Sequence, residues 1–150
     1  MHYKNSFLLA LVMGMAFSAC KKEKVDLLDP VPSILNVTVN PTDVVEYEDE
    51  IVFSVEYRDG DGDLGENDPD VTNLFLTDNR IGVTESFRIS QLAPSGSDIA
   101  ITGTLEVSLP STGITDNSTA ETVNYTLYMK DRAGNESNRF TTEDITVRAN

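Results

Sequence analysis

The chain of 150 residues has one cysteine, one histidine and no tryptophan, and each shortage removes a class of protein. A lone cysteine cannot close a disulfide within the chain, so the fold must rest on its core and on any metal it holds. The cysteine is Cys20 and the histidine is His2, both close to the N-terminus. If that region is removed or modified on export, no histidine-assisted nucleophile and no free thiol remain in the folded part, and an enzyme is not expected. Basic residues are also scarce, 11 against 25 acids for a formal charge of −14. Such a field opposes nucleic acid and anionic membrane surfaces and makes cations the natural ligands, although acidity also serves solubility alone. Nor is there an apolar run of the about 20 residues that a helix needs to cross the hydrocarbon core. The longest, Phe7 to Ala19, has 13 residues.

That run has the layout of an export signal: Lys4 precedes it, the apolar stretch ends at Phe17, and small Ser18 and Ala19 stand before Cys20. Residues 1–19 therefore belong to processing and stay out of the fold. The tetrapeptide Phe17-Ser18-Ala19-Cys20 resembles the lipobox of bacterial lipoproteins, with Phe where Leu is commonest. The resemblance implies cleavage before Cys20, diacylglycerol on its sulfur and a fatty acyl chain such as palmitate on its nitrogen. Two or more chains make a stable anchor where one holds only marginally. Lys21 stands where an inner-membrane retention signal would carry Asp, which favours the outer membrane and leaves its periplasmic or surface face open.

Loss of residues 1–19 takes Lys4 and no acid, leaving 25 acidic against 10 basic side chains, a formal charge of −15. Residues 20–33 then form the lipidated cysteine and a flexible tether, rich in lysine and ending in Asp29-Pro30-Val31-Pro32. Fully extended at about 3.3–3.6 Å per residue, residues 21–33 reach at most roughly 45 Å. Residues 34–150 are the size of one ordinary domain.

Within that domain, strand periodicity dominates. Leu35, Val37 and Val39 alternate with polar neighbours, as do Ile51, Phe53, Val55 and Tyr57. Further alternating runs extend from Ile99 to Leu109 and from Val123 to Met129. Shorter strands are predicted over 73–77, 83–89 and 145–147. Asn40-Pro41, Asp78-Asn79, Pro94-Ser95-Gly96 and Gly134-Asn135 supply turns between them. No window has a helical stripe. Seven or eight short strands, each with one apolar face, require a second sheet to cover that face. The expected fold is all-β, a single immunoglobulin-like β-sandwich, with a small β-barrel as the alternative.

Two motifs resemble a known family. The run from Tyr125 to Ser137, containing Asp131-Arg132-Ala133-Gly134-Asn135, resembles the penultimate strand and last hairpin loop of bacterial immunoglobulin-like domains. The run from Tyr57 to Gly65, Tyr-Arg-Asp-Gly-Asp-Gly-Asp-Leu-Gly, resembles a loop of immunoglobulin-like lipoproteins of the Bacteroidota. The resemblance implies a cell-envelope binding or accessory domain and carries no catalytic residues.

Candidate chemistry is concentrated between Glu56 and Asp70. Seven acids, Glu56, Asp59, Asp61, Asp63, Glu66, Asp68 and Asp70, face one base there, Arg58. Gly60 and Gly62 let the backbone curl so that Asp59, Asp61 and Asp63 can converge. Hard oxygen ligands at that density suit Ca2+ better than Mg2+, which keeps most of its water. Asp68 and Asp70 are supplementary ligands in this reading. The match to a helical calcium loop is poor, because its sixth and twelfth positions would be Leu64 and Asp70. If the strands ending near Tyr57 and Lys130 are the second and penultimate of the sandwich, their following loops emerge at one end, and Asp131 and Asn135 reach the same ion. The alternative has Asp-Gly steps as plain turn chemistry, Asp131 and Asn135 bonding their own turn, and Arg58 and Arg132 neutralising the acids. The second acidic cluster, Glu46 to Glu50, reads as a solvated turn. Among the tyrosines, Tyr57 and Tyr125 are predicted inward, which leaves Tyr128 as the only exposed aromatic platform for a sugar on its strand, with core or edge packing the favoured role.

The expected function is a membrane-anchored, noncatalytic envelope lipoprotein. It would bind an envelope protein or polysaccharide through a loop end that calcium orders. A glycan-binding accessory lipoprotein and a structural spacer or assembly lipoprotein are the alternatives.

Overall fold

The computed structural model describes residues 29–150. Cys20, the export signal and most of the tether lie outside the described residues. No helix is long and apolar enough to cross a membrane among them.

Ten short strands follow in order: β1 Ser33–Asn40, β2 Asp43–Val45, β3 Ile51–Asp59, β4 Leu74–Asp78, β5 Val83–Phe87, β6 Ile101–Leu109, β7 Ala120–Val123, β8 Tyr125–Met129, β9 Phe140–Thr141 and β10 Ile145–Arg148. They form a β-sandwich. One layer is the antiparallel sheet β1-β3-β6, and the other contains β5-β4-β8-β9 and β2-β10-β7. The latter two ladders run into each other, since only Asn124 separates β7 from β8, and the Thr142 N–H donates to the Tyr125 carbonyl at 2.9 Å. Three long strands are thus interrupted ones, and the expected seven or eight strands appear as ten segments. One interruption divides β1 from β2 at a cis Asn40–Pro41 peptide. Here the chain leaves the first layer and pairs parallel with β10 in the second.

The core fills the space between the layers. From β3 it takes Ile51, Phe53, Val55 and Tyr57, and opposite them Leu74, Leu76, Leu127, Met129, Ile145 and Val147, all buried. The Phe53 and Tyr125 rings meet edge to face across the layers at 5.3 Å, a favourable geometry for their quadrupoles. Burying an aliphatic or aromatic side chain of this kind contributes about 1.5–3 kcal/mol, so the inward rows dominate the stability. The layers do not close into a barrel, because β5 and β6 end their sheets.

Two strands depart from the sequence reading. In β1 the register shifts between Ile34 and Asn36, so Ile34, Val37 and Val39 face the core and Leu35 is exposed. The third run begins only at Ile101, and Ile99 lies outside it, exposed in the preceding loop. There the Ile99 N–H bonds the Asp61 carbonyl at 3.3 Å and no longer follows the strand.

Candidate metal centre

Period two explains why an acid lies in the interior. The buried row of β3 runs Ile51, Phe53, Val55, Tyr57 and then Asp59, which is fully buried at the strand's last position. After it the backbone curls. Gly62 and Gly65 have φ of +76° and +87°, and a Cβ at either would collide with a backbone carbonyl, that of Ile99 or of Ser90 respectively. Only glycine meets both demands.

The curl brings one carboxylate oxygen each of Asp59, Asp61 and Asp63 within 4.8 Å of one another. Asp59 uses Oδ2 to accept the Leu64 N–H at 2.7 Å. Asp63 uses Oδ2 for the Ala133 N–H at 3.0 Å. Their other oxygens, Asp59 Oδ1 and Asp63 Oδ1, are buried with no hydrogen-bond partner. Asp61 Oδ1 receives the Asp63 N–H at 3.4 Å.

The β8–β9 turn closes one side, at the end of the sandwich where the strand topology brings both loops out. The Arg132 N–H donates to the Asp63 carbonyl at 3.3 Å. The Arg132 guanidinium donates to the Gly65 carbonyl at 2.8 Å and the Gly62 carbonyl at 3.5 Å. Arg132 therefore holds the acidic loop by its backbone and leaves the carboxylates alone. Among the described residues, no lysine or arginine side-chain nitrogen lies within 4.0 Å of the carboxylates of Asp59, Asp61, Asp63 or Asp131. The arginine pairing that the sequence allowed is not formed there.

Burial first, and then the charges of Asp131 and Asp61, push the Asp63 carboxyl up to about 6. Burial likewise raises Asp59, with the neighbouring Asp61 adding to it. Three crowded carboxylates, two with a buried idle oxygen, form a polar cradle that no cationic side chain pairs directly. Isolated buried charge costs several kcal/mol, and a hard divalent cation is the partner that would remove the cost.

The remaining sequence-predicted ligands divide. Asp131 is buried beside Asp63, but its two oxygens accept the Asn135 backbone N–H at 2.7 Å and the Asn135 side-chain amide at 2.8 Å. Both residues thus serve their own turn, and Asp131 adds charge to the cluster. Asp68 and Asp70 are exposed and outside the three-acid set; Asp68 Oδ1 caps the Asp70 N–H at 2.9 Å. Sequence reasoning missed Ser97 and Asp98, which line a cavity of about 460 Å³ with Asp61, Asp63 and Arg132. No local signal joins that loop to the acids, because the contact depends on where the β5–β6 connection crosses.

For Tyr128 the packing role expected from the sequence is the one found. Tyr128 stacks on Phe75 at 4.7 Å and has the Arg139 guanidinium 4.5 Å above its ring, so it packs at the sheet surface. Of the second acidic cluster, Glu46 accepts the Ile114 N–H at 3.1 Å and Asp49 the Val45 N–H at 2.8 Å. The turn is acid-capped as well as solvated.

An immunoglobulin-like sandwich with an acid-lined loop cluster at one end is the class that these features define. No protein-family model and no curated protein matches the chain. Among solved structures it is similar to a Niemann-Pick type C2 protein from Japanese carpenter ant, with 9% identity, 80% of this chain and 93% of that chain covered, and a TM-score of 0.41.

Proposed function

We propose that this chain is a noncatalytic interaction module held at the outer membrane by lipid on Cys20, with Ca2+ ordering the loops at one end of its sandwich. The observation that carries the calcium reading is the pair of buried, unpartnered oxygens, Asp59 Oδ1 and Asp63 Oδ1. Together with Asp61 they offer three hard ligands to one ion, and water or nearby groups complete the six to eight oxygens that Ca2+ takes. Neutralising the cluster turns a self-repelling loop into a rigid one, and folding then depends on the ion by mass action.

The anchor reading rests on Phe17-Ser18-Ala19-Cys20, with Lys21 after it. The partner is an envelope protein or a polysaccharide. Support for a noncatalytic role comes from the acids themselves, since Asp59 and Asp131 each spend oxygen on a backbone N–H of their own loop and Asp63 on the Ala133 N–H of the neighbouring turn. Such acids build a cradle rather than a cleft.

The test is a thermal melt of residues 21–150 in EDTA, then with Ca2+ and with Mg2+. A calcium-specific rise of several degrees is expected. Superimposable melts would remove the ion from the reading.

A further inference from the structure

The sandwich has a second constructed feature, at the end opposite the acidic loops. Strand registers place Asn40 beside Val52, Ile51 beside Leu109 and Asp78 beside Tyr125, so the β2–β3 and β4–β5 turns and the segment after β6 gather there. Asp59 and Met129 lie at the far ends of their strands. We propose that the cavity at this end binds a neutral saccharide, with Tyr47 as its stacking platform.

The cavity arises from a mismatch between the layers. In the second layer β5 is an edge strand, and in the first layer β6 is the last strand. The β5–β6 connection fills part of the gap with buried Ile89 and Ala93. At the other end the gap stays open as a cavity of about 300 Å³, walled by Leu76, Leu109 and Tyr125 and rimmed by Tyr47, Ile81 and Val83. That volume lies at the lower bound of small-molecule sites, about 300–1,000 Å³. Tyr47, Ile81 and Val83 are 71%, 54% and 54% exposed, three of the seven exposed large apolar side chains among the described residues. Clustering of that kind marks a binding surface.

Tyr47 is held in place at a conformational cost. Its φ of 60° is left-handed, an unusual state for a bulky residue and one that collects at functional sites. Its N–H is tied to the Thr112 carbonyl at 3.0 Å. Its phenol lies against Gly113, where any Cβ would collide with it. The fold thus fixes an aromatic ring in solvent, without burying it.

The polar groups decide the ligand class. Arg80 cannot receive an anion, since its guanidinium already bonds Asp78 at 2.6 Å, Glu121 at 3.0 Å, and the Gly113 carbonyl and Thr112 hydroxyl, each at 3.1 Å. A formal charge of −14 also repels anionic polymers. Glu85 and Ser111 line the cavity as hydroxyl-bonding groups. An apolar ring face with a hydroxyl edge, as in a neutral pyranose, matches an aromatic platform beside such groups. Cavity and acidic loops share no residue, so this site stands whether or not the loops take an ion.

Calorimetric titration of the full chain in detergent with maltohexaose, cellohexaose, xylohexaose and mannohexaose, with and without EDTA, tests the proposal. At least one should bind saturably, insensitive to salt and to EDTA. Tyr47→Phe should keep that affinity. Tyr47→Gly, which relieves the left-handed backbone and so keeps the fold, should lose about tenfold or more. Absence of binding by all four, or undiminished binding in Tyr47→Gly, would each overturn it.

Discussion

Asp63 accepts a hydrogen bond from the backbone N–H of Ala133 at 3.0 Å across 70 residues of sequence. This bond fixes the β3–β4 loop against the β8–β9 turn and divides the work of one carboxylate, Oδ2 for structure and Oδ1 left idle in the interior. Asp59 is divided in the same way, with Oδ2 on the Leu64 N–H. The repetition is what makes the cluster read as a cradle.

Asp63→Asn should abolish the response to calcium while raising the metal-free melt. In EDTA the variant removes a crowded charge while an amide oxygen can still accept from Ala133, so its melt should rise, equivalent to about 1 kcal/mol. In Ca2+ it should gain nothing. Paired melts of variant and wild type check both signs, and an Asp63→Asn protein that keeps the full calcium response would remove Asp63 from the ligand set.

The metal-free protein should be more stable at pH 5 than at pH 7. The Asp63 carboxyl titrates near 6 in the fold against an ordinary 3.8, and Asp59 is raised in the same direction. Between those values the folded state holds more protons than the unfolded state, so stability falls as pH rises through the window, and the loss is complete above it. Saturating Ca2+ should flatten or reverse the trend, because proton and ion compete for the same oxygens. Melts in EDTA across this range are the measurement.

Gly62→Ala should cost about 2 kcal/mol or more, since φ is +76° there and the added methyl meets the Ile99 carbonyl. Urea denaturation gives the figure directly. The calcium-dependent part of the stability should shrink too, because Gly62 lies between two of the three acids.

Arg80→Met should be far more damaging than Arg148→Ala. The Arg80 side chain is 10% exposed and paired with Asp78 and Glu121; its loss leaves buried Asp78 without its cation, while Glu121 keeps its bonds from Thr115. Arg148 pairs with Asp43 at 2.6 Å with both side chains 56% exposed, so solvent screens the pair and its loss is felt little. Chemical denaturation of the two variants side by side separates the cases.

Cys20→Ser should move the protein from the membrane fraction to the soluble one and abolish palmitate labelling, with the melt of the sandwich unchanged. Retention of label in the variant would place the acylation elsewhere.

Alternation along the chain sets the facing of residues on most strands. Period two assigned Phe53, Val55, Tyr57 and Tyr125 to the interior, and extending the same count by one step puts Asp59 there as well. Turn chemistry marked Asp-Gly-Asp-Gly-Asp and Asp131 to Asn135 as loops. Facing failed at Leu35, because a register shift between Ile34 and Asn36 depends on the partner strand β3. Only the tertiary structure decided which loops meet. It gave Asp63 its bond to Ala133, confined Asp131 and Asn135 to their own turn, left Asp68 and Asp70 outside, packed Tyr128 under Arg139 and held Tyr47 in solvent over Gly113. The reason is physical: side-chain alternation is a local property of an extended backbone, whereas the neighbour across a layer follows from strand order, which alternation leaves undetermined.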